Sequence, residues 1–594
     1  MRRRTGVSVG VVALLALAAA AARGGDLATA VPEDALFYAE VNDPKGIWAD
    51  FEQSGLRDIF RAVPQAEMQL GVVSLIVQGA VQQRLGLAWD DTVAKFGSRL
   101  GLVVAEGGGA ARVPVVLLDA SETKAELKKL LTGVVEPALT KAPPGKGVPA
   151  IADEMYGDVA LRVIKGPGPG VAYAFIGDAF AVAEPAALKK LIDARARRPL
   201  STNEAFQKVR KAIASPKGVV AYLNLGQVLT EHRPVLNGAP DLRRLFDAVG
   251  LTTVQWVAVG SAFDGRGVRD KVHLYCGEKK LGLIRLLGKL TPGTSTAAQV
   301  LPKECPLLVS LNFKDGPELW QALVKFIEEA GQGEGLARLD EGKQNLKLQL
   351  GINLDDDFVG ALGGEVFLAA SPDFVPEVAA KRRLPETKDF PFLLGARVAK
   401  PDAIKTTIHR LMAGQPGVAP AVERKTEAYQ GVDIHTLVLP DAPNQPAYAF
   451  VGEFFLVARN AAILRQCVDA QKDPTKALAA SPRFRNVADA MSLKHHGIVY
   501  ADIQSILEAL ITEGKEPAAG QPVRPMVQIL GALAGQLRGA CATLSADENG
   551  VTLEAYTRSG LLPVLGVVTF IAERRAAAGP QIAPTPEGPK VTDF

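Results

Sequence analysis

Tyr173-Ala174-Phe175-Ile176-Gly177-Asp178-Ala179-Phe180 and Tyr448-Ala449-Phe450-Val451-Gly452-Glu453-Phe454-Phe455 are two versions of one stretch in a chain of 594 residues, the second lying 275 positions on (448 minus 173). Each is an apolar run broken by Gly-Asp or Gly-Glu and resumed at once, the pattern of two strands joined by a tight turn. Outward from this pair, other segments recur in the same order, which is the mark of an internal repeat. Upstream, Val31-Pro32-Glu33-Asp34-Ala35 leading to Asn42 matches Leu301-Pro302-Lys303-Glu304-Cys305 leading to Asn312. Leu85-Gly86-Leu87-Ala88-Trp89-Asp90-Asp91 matches Leu350-Gly351-Ile352-Asn353-Leu354-Asp355-Asp356. Downstream, Phe206 and Phe484 mark a helix, and Tyr222 and Tyr500 the strand that follows it. Ser261 to Val268 parallels Ser545 to Val551, where Asp264-Gly265 and Asn549-Gly550 are expected to supply the positive φ angles of tight hairpins.

The unit so defined reads strand, helices, two strands, helix, three strands, two helices, strand, helix, hairpin. Most consecutive strands are joined by short Gly, Asp or Asn turns, which predicts a mainly antiparallel sheet with helices packed against one face. The fold class is therefore α+β, with two tandem homologous units. A chain this long exceeds one hydrophobic core, so two domains are expected. The boundaries are residues 1–24 for a signal peptide, 25–292 and 293–575 for the two units, and 576–594 for a disordered tail, with the junction at Thr291-Pro292-Gly293-Thr294-Ser295. Lys141 to Gly145 and Pro440 to Pro443 fall in loops, and Leu281 to Leu290 and Leu561 to Ala572 are read as terminal helices of their units.

The leader carries Arg2, Arg3 and Arg4, an apolar run from Val7 to Ala22, then Arg23-Gly24-Gly25, the pattern of a secretory signal cleaved between Ala18 and Gly24. Its apolar run is shorter than the ~20 residues that cross a bilayer. The formal charge is +3, from 67 basic and 64 acidic residues, but four of the basic residues (Arg2, Arg3, Arg4, Arg23) belong to the leader. The remainder is nearly neutral, so no global field steers it to nucleic acid. Membrane association is expected only through an uncleaved leader. With 48% hydrophobic and 22% charged residues the body is that of a globular protein. The four cysteines, Cys276, Cys305, Cys467 and Cys541, are too few for a disulfide framework; they read as buried thiols, with a Cys276–Cys305 bridge as the alternative.

Leu301-Pro302-Lys303-Glu304-Cys305, the stretch Gly351 to Phe358 ending in Leu362-Gly363-Gly364-Glu365-Val366, and Tyr448 to Gly452 together resemble the exported bacterial proteins catalogued as domain of unknown function 3352. The resemblance covers most of residues 300–575 and, more weakly, the first copy, where Lys95-Phe96-Gly97-Ser98-Arg99 departs from the Leu-Gly-Gly-Glu pattern. It implies a bacterial envelope location and brings no catalytic residues with it.

Chemistry-bearing patterns are sparse. Asp355-Asp356-Asp357 is metal-like in charge, but it lacks the Gly and downstream Glu of a calcium loop, and with Asp90-Asp91 it reads as a helix cap. His495-His496 precedes a Gly and a strand and reads as a turn rather than a zinc site. The chain has no HExxH, and outside the leader, where Gly6-Val7-Ser8-Val9-Gly10 is part of the apolar signal run, it has no GxSxG. Gly107-Gly108-Gly109 and Gly166-Pro167-Gly168-Pro169-Gly170 are hairpin loops without phosphate-loop spacing. Arg195, Arg197 and Arg198, and Lys381-Arg382-Arg383, are solvated surface, and Trp48 and Trp320 are core anchors. No catalytic, cofactor-binding or metal residue is nominated, and no cofactor is expected. The expectation is a non-enzymatic periplasmic protein that binds a protein or small-molecule partner through a sheet face, a sheet edge or the cleft between units. The alternatives are an exported hydrolase with dispersed catalytic residues and a membrane-surface scaffold resting on Leu561 to Phe570.

Overall fold

The computed structural model describes residues 25–62, 99–106, 112–137, 150–165, 170–314, 316–329, 333–381, 383–385, 390–413, 423–439, 444–511 and 534–560, with Glu67, Met68, Gly71, Gly79 and Gln82. The leader, Asp90-Asp91, Gly107 to Gly109, Lys141 to Gly145, Gly166 to Pro169, Arg382, Pro440 to Pro443, Leu561 to Ala572 and the tail all lie outside them.

Strands β1 (Phe37–Asn42), β2 (Arg99–Glu106), β3 (Arg112–Asp119), β4 (Ala150–Tyr156), β5 (Val159–Lys165), β6 (Val171–Ile176), β7 (Ala179–Ala183), β8 (Gly218–Leu223), β9 (Trp256–Asp264) and β10 (Gly267–Tyr275) come from the first half. The second supplies β11 (Leu307–Asn312), β12 (Leu362–Ala370), β13 (Phe392–Val398), β14 (Arg424–Tyr429), β15 (Val432–Leu437), β16 (Ala447–Val451), β17 (Phe454–Ala458), β18 (Gly497–Ala501), β19 (Ala540–Ala546) and β20 (Gly550–Thr557). All are antiparallel to their neighbours. The first half runs β4-β5-β6-β7-β3-β2-β1-β8-β9-β10 across the sheet. The second repeats that order as β14-β15-β16-β17-β13-β12-β11-β18-β19-β20. Because β10 pairs with β20, from Val268↔Thr557 to Tyr275↔Gly550, a single sheet runs through both halves, and a strand pair stands where a cleft between two bodies was expected.

Each half has four strands where three were read between its first helices and its last. The fourth is separated only by a two-residue turn, Gly157-Asp158 in one half and Gln430-Gly431 in the other, with positive φ at Gly157 (60°), Gln430 (48°) and Gly431 (82°). The β9–β10 turn also follows expectation, with Gly265 at φ 60°. The β19–β20 turn does not: neither Asn549 nor Gly550 has positive φ. There the Asp547 carboxylate accepts from the amides of Asn549 and Gly550, both at 2.8 Å, and holds the turn through its side chain.

The helices that matter below are α1 (Pro44–Gln53), α2 (Gly55–Ala62), α3 (Lys124–Leu130), α4 (Pro185–Arg197), α5 (Glu204–Ile213), α6 (Leu225–Glu231), α7 (Gly282–Leu287), α8 (Phe374–Lys381), α9 (Pro401–Ala413), α10 (Ala461–Lys472), α11 (Pro482–Ala488) and α12 (Ile503–Ile511). Asn203 caps α5 by accepting from Phe206 N at 2.9 Å, and Phe206, Val209 and Ile213 then fall on one buried face. With Leu188 and Leu191 of α4 they pack on Tyr38, Val103, Leu117, Leu161, Val220 and Tyr222. In the second half Ile463, Leu464 and Phe484 of α10 and α11 pack on Leu308, Phe367, Leu393, Leu456 and Tyr500 in the same way. These two cores define the inner face.

Helices do not keep to that face. Leu127 and Leu130 of α3 cover Leu118, Tyr173, Phe180 and Val182, and Ile404 and Ile408 of α9 cover Tyr448 and Phe455, on the opposite side of the sheet. The apolar residues of β6 and β7 are accordingly buried on both faces. Trp48 is no core anchor: it is 51% exposed, resting on Phe51 with ring centroids 5.3 Å apart, while Trp320 is partly buried.

Candidate functional site

Between the patches covered by α3 and α9, eleven strands present an outer face built from the alternate residues of the strands whose other residues fill the cores. Cross-strand partners follow one another as Leu102, Ala39, Ala221, Val259, Val272, Leu553, Leu544, Gly497, Leu311, Val366 and Ala396, without a polar side chain. A parallel row two residues away reads Leu100, Val41, Val219, Ser261, Asp270, Ala555, Ala542, Val499, Val309, Leu368 and Leu394. Adjacent strands lie about 4.8 Å apart, so the rows extend for roughly 48 Å.

Among the described residues, helices pack on the rims of this face, Asp270 and Ala555 are buried at the β10–β20 junction, and side chains on either side of that junction stay open. Phe51 of α1 meets Phe263, α7 packs near Val551 and Leu544, and α2 and α12 cluster with Ala501 and Ala540. In the rows themselves Val219, Val259, Leu394 and Val499 stay 43–44% exposed. Exposed apolar surface of this kind on a folded chain is characteristic of contact surfaces.

Beneath it each half holds a buried carboxylate. In β1, Tyr38, Glu40 and Asn42 face inward while Phe37, Ala39 and Val41 face out. Glu40 lies 3.3 Å from Arg210 Nη2 and 3.8 Å from Arg99 Nε, and Arg210 also pairs with Asp26 at 2.8 Å. Burial pushes the Glu40 carboxyl upward against the pull of both guanidiniums, and it also raises Tyr38. In the second half the corresponding residues of β1, β2 and α5 are Leu308, Ser310, Glu365 and Ala488. The polar convergence present in one half alone sits in the core, with Tyr38 fully buried and Glu40 2% exposed.

Glu365 shows what the Leu362-Gly363-Gly364-Glu365 stretch does. The β12–β13 register shifts between Leu362 and Val366, Gly364 takes φ 89°, and the bulge aims Glu365 inward. Its carboxylate accepts from Ser295 Oγ (2.6 Å), Ser310 Oγ (2.7 Å), Thr296 N (3.1 Å), Thr296 Oγ1 (3.0 Å) and Ala297 N (3.2 Å), beside Arg397. It thus ties the segment between the halves to the second core. Arg99 occupies the matching place in β2, opposite Asn42 as Glu365 is opposite Asn312.

The residues singled out from sequence are dispersed. Asp355 to Asp357 form a helical turn capped by Asn353, with Asp357 accepting from Asn353 N at 2.8 Å and Asp355 paired to Lys343. His495 and His496 are buried in the bend before β18; His496 Nδ1 accepts from Ala546 N at 3.2 Å, and burial lowers the pKa of both rings. All four cysteines are buried free thiols; Cys276 is pushed up to about 11 and Cys541 to about 12 by burial. Among the described residues no three His, Cys, Asp or Glu side chains gather as a metal site, and no helix is long and apolar enough to cross a membrane. The outer rows and the Glu40 cluster were missed; the available signal was the odd strand Phe37 to Asn42, apolar on one alternation and polar on the other.

Residues 283–587 match the model of the family described as protein of unknown function, DUF3352. The chain belongs to that family. The DUF3352 match begins within α7 and takes in β11 to β20, and so contains Glu365 and half of the open face. No curated protein matches the chain. A solved structure described as crystal form III of TP0453 is similar over 46% of this chain and 90% of that one, at 9% identity and a TM-score of 0.21, too slight a likeness to carry an argument.

Proposed function

We propose that this chain is a non-catalytic, exported binding protein of the bacterial envelope that holds an aliphatic ligand against the outer face of its sheet. The observation that supports the reading is the pair of mainly aliphatic rows running through both halves, interrupted only at Ser261 and Asp270 and half-exposed at Val219, Val259, Val499 and Leu394. Apart from Ser261 and the buried Asp270, their side chains offer contact and no hydrogen bonds, which favours an extended apolar chain over a sugar, a nucleotide or a charged peptide. Burying such surface is worth about 25 cal/mol per Å², enough for affinity without a single polar contact. The basic, apolar leader supports export.

The test is a fluorescence titration with cis-parinaric acid. Wild type is expected to bind it saturably, and Val259→Asp and Val499→Asp, which set a carboxylate among the aliphatic contacts, are each expected to weaken binding about tenfold with the melting temperature kept. Absence of saturable binding, or equal binding by both variants, contradicts the reading.

A further inference from the structure

One end of the first half carries a cleft of about 820 Å³ between the start of β1, the end of β2, α6 and the C-terminus of α4. The matching place in the second half is filled, and what fills it identifies the occupant. The backbone frame is the same in both. Asn224 N donates to Leu36 O at 2.9 Å where α6 begins, and Asp502 N donates to Pro306 O at 2.7 Å where α12 begins. Glu33 N donates to Arg198 O (3.1 Å) as Lys303 N donates to Lys476 O (2.9 Å), and the lone bridges Pro32↔Pro199 and Pro302↔Ala477 correspond.

The halves differ in the connection between their second and third strands. In the first, only residues 107–111 separate β2 from β3; in the second, residues 371–391 separate β12 from β13 and include α8. Phe374 and Val378, four apart on α8 and both buried, pack on Ala370 and Ala509 with Leu307, Ile506 and Leu510 around them. By position the first half offers Val104 for Ala370, Gln227 for Ser505 and Glu231 for Ala509, and these line the cleft. Glu231 is already paired with Arg112. Of the other charges, Glu33 accepts from Asn203 and Asp193 from Tyr156, Asp34 and Lys190 add one charge of each sign to the lining, and Arg197 and Arg198 present exposed guanidiniums at the rim.

We propose that this cleft receives a short helix from a partner protein, seated as α8 is seated in the second half, with an apolar pair four residues apart and an acidic flank facing Arg197 and Arg198. This docking site adjoins the Leu102 end of the open sheet face, through Val104, but does not depend on the ligand proposed there. The molecule supplies its own probe: a fluorescein-labelled, helix-stapled peptide of residues 371–381, which holds Phe374, Val378, Asp373 and Glu377 against one Lys381. The full chain is expected to bind it saturably in fluorescence anisotropy. Gln227→Trp, which fills the cleft, and the double variant Arg197→Glu with Arg198→Glu, which reverses the rim, are each expected to weaken binding about tenfold at unchanged melting temperature, while Val259→Asp on the sheet face leaves it intact. No saturable binding to wild type overturns the proposal, as does binding that survives Gln227→Trp, which would put the peptide on the sheet face or in exchange with α8.

Discussion

Glu365 is the buried residue of the second half on which donors from the linker and β11 converge. Five donors from the linker and β11 reach one carboxylate that is 1% exposed, so removing it strands Ser295, Thr296 and Ser310 without their acceptor. Glu365→Ala is therefore expected to cost at least about 3 kcal/mol in urea denaturation, the scale for breaking a buried charged network, and Glu365→Gln less. A loss under about 1 kcal/mol for the alanine variant would contradict the anchoring role. Of this arrangement the sequence displayed the Leu-Gly-Gly-Glu pattern and its loss at Arg99, but not the partners, which come from a linker some seventy positions upstream and from the next strand. Glu40 was hidden for another reason. In β1 the polar alternation is the one that faces the core, because Arg210 and Arg99 make burial of a carboxylate tolerable, so a hydrophobic reading turns that strand inside out.

At the scale of elements, the tight hairpins were the most legible feature, since a two-residue connection needs left-handed backbone and so needs glycine: Gly177 has φ 63° and Gly452 φ 58°. Gly550 is the instructive exception. It reads as a turn glycine, yet its reason is proximity: a Cβ there would lie 2.0 Å from Leu274 O and 3.0 Å from Leu274 C, in the backbone of β10. The strand pair that joins the halves can close only because β20 starts with glycine. Gly550→Ala is expected to lower stability by about 1–3 kcal/mol through forced separation of β10 and β20, visible as a fall in the urea midpoint. A change within about 0.5 kcal/mol would mean that the junction is loose. The pairing itself was illegible in advance, because its partners are far apart in the chain and no local pattern encodes which edge meets which.

Over the whole molecule, the repeated strand order lays two runs of ten strands end to end through β10 and β20, and this joins two modest outer faces into one mainly aliphatic surface, with Asp270 buried at the junction. Sequence could supply the α+β class and the antiparallel strands, but it could not say which apolar alternation is covered, since Val259 on the open face and Val220 in the core are the same residue in the same kind of strand. The measurement that tests the central claim most directly is native mass spectrometry of the protein purified without detergent, alongside Val259→Asp and Val499→Asp. The account predicts wild type carrying an added mass that fragments as an aliphatic lipid or fatty acid, and depleted in both variants. Wild type without such an adduct that also fails to take one up when incubated with long-chain fatty acid would contradict it.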